Sequence, residues 1–242
     1  SPSLVNPEKH NAHDVGDEPL LHAALAKTVV AADRPKGAAI LEEEGCNIMV
    51  MDDGFQNPSV AKSLSIVVVD AALGFGNGRV LPAGPLRETV QEGLKRADLL
   101  LSIGDKKAQS NFAAQWRDKI TVPHITARLK TLEMGINWEG QRVMAFAGIG
   151  YPEKFFTTLR RLGAEVLRAE ALSDHQPLTE ALMKRLELEA RALSAQLVTT
   201  EKDAVRLPSS FRAKVLTLPV RLKFDDDTPL TEALSRLSLN QT

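Results

Sequence analysis

The chain has 242 residues, 43% of them hydrophobic and 25% charged, with a formal net charge of -1. That is ordinary globular composition, enough for one large domain or two small ones, and the near-neutral balance gives general nucleic-acid binding no electrostatic support. The single cysteine, Cys46, excludes an internal disulfide and fits a reducing compartment, and no apolar run is long enough to span a bilayer.

Residues 1–19 are polar and end in Val15-Gly16-Asp17-Glu18-Pro19. Pro19 suits the first turn of a helix over about Leu20–Ala26, and Asp17 or Glu18 just before it is placed to cap that helix. A short strand follows at Thr28–Ala31, then a helix near Lys36–Glu44. The run Cys46–Met51 predicts a buried strand that ends abruptly in Asp52-Asp53-Gly54, with Cys46 as a small buried hydrophobe. Strand carboxyl ends face the ligand crevice in open α/β sheets, and paired carboxylates there suit a hard cation such as Mg²⁺. The competing reading of Asp53-Gly54 is a surface turn.

Ser65–Asp70 and Ala97–Ile103 are two more β-branched or leucine-rich runs. Strands alternating with helical stretches imply parallel βαβ units, an α/β fold. Between these two runs lies the loop 74–88, GFGNGRVLPAGPLRE, with four glycines and two prolines in fifteen residues. It excludes a regular helix, and long structured loops of this kind are often functional. Arg87 is its candidate for phosphate recognition, against an exposed ion pair with Glu88 or a nearby carboxylate.

Lys107–Lys119 reads as an amphipathic helix with Phe112 and Trp116 four apart, a stripe expected in the core. Alternation after Pro123 predicts a strand-rich linker at 121–140, separating residues 1–120 from 141–242. The second half repeats the α/β pattern. A strand at 142–147 leads into Gly148-Ile149-Gly150 and a helix from Pro152 to Leu162. Glu at 153 removes the third glycine of a dinucleotide fingerprint, so a tight turn is expected there. A strand at Glu165–Ala169 precedes Ser173-Asp174-His175. His175 is the one histidine beside a carboxylate after a strand end, which makes it a candidate general acid or base. A leucine-striped helix, a strand at Leu197–Thr200, a last strand at Val215–Leu222 and a closing helix begun by Asp227-Thr228-Pro229 complete the chain.

Six stretches, in this order and spacing, together resemble the tetraacyldisaccharide 4′-kinase family: Val15–Pro19, Asp52–Gln56, Gly74–Glu88, Ala145–Gly150 with Pro152, Ser173–His175 and Thr199–Arg206 (TTEKDAVR). The resemblance runs from about residue 6 to about 222. It implies a P-loop NTPase-like parallel-sheet kinase domain at 1–120, a β-ribbon at 121–140 and a smaller α/β domain at 141–242. It implies transfer of the ATP γ-phosphate to the 4′-hydroxyl of an acylated glucosamine disaccharide, a lipid A precursor, at the cytoplasmic face of the bacterial inner membrane. It further implies Asp17 as catalytic base with His175 as its dyad partner, Asp52 and Asp53 as Mg²⁺ and ATP-site carboxylates with Glu18 assisting, and Gln56, Asn77 and Arg87 in the substrate and phosphate region.

The family also carries a phosphate loop of the type G-x-x-x-x-G-K-S/T ahead of the Gly-Asp-Glu-Pro stretch, and no such sequence occurs in these 242 residues. The chain is therefore expected to lack the family's N-terminal segment, including its apolar membrane helix, and to turn over poorly as it stands. Two other classes remain open at this point. One is a degenerate, lipid-binding module without chemistry. The other is a phosphatase with Asp52 as nucleophile, which the adjacent rather than alternate carboxylates disfavour.

Overall fold

The computed structural model describes residues 2–174 and 176–239, apart from the side chains of Ser238 and Leu239. The chain groups into two compact units, one of residues 1–49 with 131–220 and one of 50–130 with 221–242.

The first unit is built on a four-stranded parallel sheet. Its order is Glu165–Ala171, Arg142–Ala147, Gln196–Thr200, Val215–Leu218. Residues 143–147 of the Arg142–Ala147 strand are fully buried, as a parallel strand covered on both faces must be. Alternation along it divides the core in two. Met144 and Phe146 pack with Met183 and Leu186 of the helix Glu180–Ala192. Val143, Ala145 and Ala147 pack with Phe155, Phe156 and Leu159 of the helix Pro152–Arg161. The sequence sets this by period-2 spacing on the strand and leucine or phenylalanine stripes on the helices. A smaller cluster of Val5, Val15 and Leu20 packs with Val205. It joins the short helices Ala12–Val15 and Asp17–Ala23 to the segment after the Gln196–Thr200 strand.

The second unit has a four-stranded sheet ordered Val220–Phe224, His124–Thr131, Leu99–Ile103, Ile66–Asp70. The last three strands are mutually parallel. Leu100 packs with Leu94, Phe112 and Trp116, whereas Leu99 and Leu101 pack with Ile125, Ala127 and Leu230. Phe112 and Trp116 lie on the helix Lys106–Trp116 and are almost fully buried, so the four-apart stripe is core, as expected.

Two sequence expectations are corrected. The run Cys46–Met51 is not a strand. Ile48 is 62% exposed and Val50 90% exposed, and Cys46 is half-buried. An apolar run becomes a strand only when it pairs with a neighbouring strand, and the Cys46 N–H instead donates to Leu41 O at 2.9 Å, closing the preceding helix. Within the expected ribbon at 121–140, His124–Thr131 is a sheet strand beside Leu99–Ile103, with Leu101 opposite Ile125. Its alternation reflects burial of Ile125 and Ala127. The expected last strand, Val215–Leu222, is two strands divided at Pro219, which join different sheets. Proline has no N–H to donate to a ladder, and the pairing breaks there.

Candidate functional site

At the carboxyl ends of the parallel strands of the first unit, three chain segments meet around one buried guanidinium. The first follows Arg142–Ala147 and brings Gly148. The second follows Glu165–Ala171 and brings Ser173 and Gln176. The third follows Gln196–Thr200 and forms the short helix Glu201–Ala204 and then Arg206. Thr200 caps that helix. Its hydroxyl accepts from the Asp203 N–H at 3.2 Å and donates to the Asp203 carboxylate at 2.7 Å. Asp203 is fully buried and also accepts the Gly148 N–H at 3.1 Å. Arg206 forms an ion pair with Asp203 and donates to the carbonyl oxygens of Gly148 at 3.0 Å and Gln176 at 3.1 Å. A side chain on Gly148 would meet the Arg206 guanidinium at 3.0 Å and the Ser173 carbonyl at 3.1 Å. The glycine after this strand thus admits the close approach of Arg206, and the network accounts for Gly148 without a dinucleotide.

Asp17 and Glu18 stand in the first turn of the helix Asp17–Ala23. The helix starts three residues earlier than the sequence suggests, with Gly16 at its cap, so neither carboxylate is the cap residue. Asp17 is only 7% exposed. Its Oδ1 accepts the Glu18 N–H at 3.1 Å, and its Oδ2 lies 3.7 Å from Arg206 Nε. Glu18 is half exposed and pairs with Lys202 at 3.0 Å. The fold therefore brings Asp17 and Glu18 onto the TTEKDAVR segment. Sequence reasoning quoted that segment but gave Lys202, Asp203 and Arg206 no role. The available signals were the Thr200-x-x-Asp203 capping spacing at the end of a buried strand and the i,i+3 spacing of Asp203 and Arg206. His175, the expected dyad partner, lies outside the described residues. On either side of it, Gln176 N–H donates to Ser173 O at 2.9 Å and Ser173 N–H to Gln176 Oε1 at 3.1 Å.

The remaining expected site residues belong to the second unit. Asp52 and Asp53 occupy an exposed turn, and Asp53 has φ 50, a left-handed conformation that aspartate tolerates better than most residues. Gln56 Nε2 donates to Glu88 Oε1 at 2.6 Å, Glu88 pairs with Arg96, and Arg96 lies 4.6 Å over the Phe55 ring. This ties the Asp52–Gln56 stretch to the end of the glycine-rich loop. Arg87 is exposed and makes no ion pair among the described residues, because Glu88 is taken by Arg96. Asn77 is spent within the loop. Its Nδ2 donates to Ala83 O at 2.8 Å and its Oδ1 accepts the Arg79 N–H at 3.1 Å. The loop also wraps Trp116: Phe75 meets that ring edge-on at 5.2 Å, and a Cβ on Gly74 would sit 2.6 Å from Trp116 Nε1.

Among the described residues no group of three or more His, Cys, Asp and Glu is placed to hold a metal ion. Two adjacent, solvent-facing carboxylates nevertheless suit Mg²⁺, which keeps several waters and takes one or two carboxylates plus substrate phosphates. No helix of the described residues is long and apolar enough to cross a membrane.

The chain is an α/β protein with parallel sheets, and the buried Asp17, Asp203 and Arg206 beyond the strand ends of the first unit mark its candidate site. The family model described as "LpxK: Tetraacyldisaccharide-1-P 4'-kinase" matches residues 1–238. The tetraacyldisaccharide 4'-kinase of Dinoroseobacter shibae is 56% identical over 242 residues, spanning 100% of this chain and 72% of that protein. The protein of the same name from Jannaschia sp. is 55% identical over 236 residues, 98% of this chain and 72% of that one. The crystal structure of the "apo" form of LpxK from Aquifex aeolicus in complex with ATP superposes with a TM-score of 0.73 at 24% identity, covering 98% of this chain and 74% of that one. The chain belongs to the tetraacyldisaccharide-1-P 4′-kinase family, lipid kinases of lipid A synthesis.

Proposed function

We propose that the protein transfers the γ-phosphate of ATP to the 4′-hydroxyl of tetraacyldisaccharide 1-phosphate, with Asp17 as the group that takes the hydroxyl proton. The observation that carries this reading is the burial of Asp17 at the strand ends, oriented by the Glu18 amide and facing Arg206. Phosphoryl transfer is mostly positioning and charge neutralisation, so a base held in one orientation is the protein's main chemical contribution. His175 acts beside Asp17, sharing or accepting its proton. Asp52 and Asp53 would hold Mg²⁺, which would neutralise charge on the ATP phosphates. Arg87, exposed and without an ion-pair partner among the described residues, is the loop's cation for the lipid phosphate, while Gln56 and Asn77 shape the loop around it. The protein works peripherally at the cytoplasmic face of the inner membrane.

The test is to incubate the full-length protein with ATP, Mg²⁺ and tetraacyldisaccharide 1-phosphate and to locate the new phosphate by mass spectrometry. Phosphate on the 4′-oxygen is the expected result. Lipid binding without transfer would instead fit a degenerate lipid-binding module. The 242-residue chain assayed alone is expected to be far slower, since it contains no G-x-x-x-x-G-K-S/T loop.

A further inference from the structure

We infer that Arg206 is a positioning residue for Asp17, and that Asp203 is the anchor that aims it. The inference rests on the reading of Asp17 as the catalytic base. The Arg206 side chain is 7% exposed, and its planar group is fixed at one end by the Asp203 carboxylate and by two backbone carbonyls, those of Gly148 and Gln176. Each of these comes from a different loop at the carboxyl ends of the sheet. The guanidinium therefore cannot turn without breaking bonds to all three loops.

What remains is Nε. It is buried and has no hydrogen-bond acceptor among the described residues. It faces Asp17 Oδ2 at 3.7 Å, close enough for attraction but longer than the roughly 2.9 Å of a formed N–H···O bond. A buried donor left in this state is costly, and native proteins seldom keep one without a reason. Asp203 already neutralises the arginine, so charge balance alone does not require Asp17 nearby. The geometry is that of a fixed donor standing just beyond hydrogen-bond distance of a carboxylate. A shift of Asp17 by less than an ångström would close the bond and hold Oδ2 against Arg206, defining where the carboxylate points when the acceptor hydroxyl arrives. Lys202, four residues before Arg206, makes a formed, more exposed ion pair with Glu18 at 3.0 Å. The same segment thus meets both members of the acidic pair. The sequence TTEKDAVR then has a division of labour: Thr200 caps, Asp203 anchors, Lys202 and Arg206 position, and Val205 packs the segment onto Val15 and Leu20.

The experiment uses the full-length protein and four variants: Asp17→Asn, Arg206→Gln, Arg206→Lys and the double Asp17→Asn/Arg206→Gln. Each is measured for kcat, for KM toward ATP and the lipid acceptor, and for thermal midpoint. Misplacing a reacting group by about an ångström costs on the order of a hundredfold in rate. Arg206→Gln is expected to lower kcat by about that factor with both KM values within about twofold. Arg206→Lys, which keeps the charge but not the planar fork, should recover only part of it. In the double variant the second change should cost no further kcat, since its effect runs through Asp17. A kcat loss that multiplies on the Asp17→Asn background would overturn the inference. So would an Arg206 variant whose thermal midpoint falls while kcat of the folded protein stays normal. If Arg206→Gln does not fold, Arg206→Lys decides by the same measures. Normal kcat in Asp17→Asn would remove the catalytic-base reading itself, and the role of Arg206 with it. A slow Asp17→Asn alongside a normal Arg206→Lys and Arg206→Gln would remove only the role of Arg206.

Discussion

The two acidic pairs nominated for the site, Asp17-Glu18 and Asp52-Asp53, differ in their surroundings. Asp17, in the first unit, is buried and built into a network that includes a fully buried Asp203 and an arginine bridging three loops. Asp52 and Asp53, in the second, project from an exposed turn. A proton-accepting carboxylate must point one way at the moment of reaction, so the protein spends rigid structure on it. A Mg²⁺ ligand is oriented by the ion and the phosphates it joins, so less of its geometry has to be built in beforehand. On the roles proposed for Asp17 and for Asp52 and Asp53, buried and networked against exposed and ligand-completed is a chemical distinction, and it can be tested by how each responds to substitution.

The largest stability effect is expected at the anchor. Asp203→Ala leaves the Arg206 charge buried without its partner, and breaking a buried pair in this way costs about 3–5 kcal/mol. Urea denaturation of the variant should show a loss of this size at unchanged slope. Next is Gly148→Ala, whose new methyl meets the Arg206 guanidinium and the Ser173 carbonyl at 3.0–3.1 Å. Overpacking of this kind costs roughly 1–3 kcal/mol, and the same measurement reads it. Asp52→Asn and Asp53→Asn should behave differently. Being exposed, they should shift stability by no more than about 0.5 kcal/mol. The Mg²⁺ concentration for half-maximal rate should rise by at least about tenfold, equivalent to about 1.4 kcal/mol of metal affinity. A stability loss at Asp52 as large as that at Asp203 would erase the distinction.

The smallest effect is electrostatic and lies away from either pair. Hydrogen bonds from Arg185, and then Arg168, hold the Glu170 carboxyl below its usual value near 4.5. A depressed folded value means the contribution is complete above that value and fades as pH falls through the lower folded one. Because these arginines are nearly half exposed, the gain is at most about 1 kcal/mol. Glu170→Gln should flatten the acid limb of the stability curve by no more than that.

The α/β alternation and most elements were legible from the sequence because they rest on local period and on punctuation such as Pro152 at the start of its helix. Phe112 and Trp116 declared themselves core by spacing alone. The run Cys46–Met51 misled because a strand's existence depends on a partner that composition does not reveal. Asp17 could be nominated from its motif, but the grip on it could not. Asp17 and Arg206 are far apart in sequence, and nothing local in either stretch says that Val205 packs onto Val15 and Leu20 and brings them together. Asn77 shows the reverse: a loop residue nominated for substrate proves to hold Ala83 and Arg79 of its own loop in place.

The most direct test is the turnover of full-length Asp17→Asn with ATP, Mg²⁺ and tetraacyldisaccharide 1-phosphate. A positioned general base is worth about 10²–10⁴ in rate. The account predicts a fall of that size in kcat with the thermal midpoint and ATP affinity close to wild type, and a kcat within a few-fold of wild type in a folded variant would contradict it.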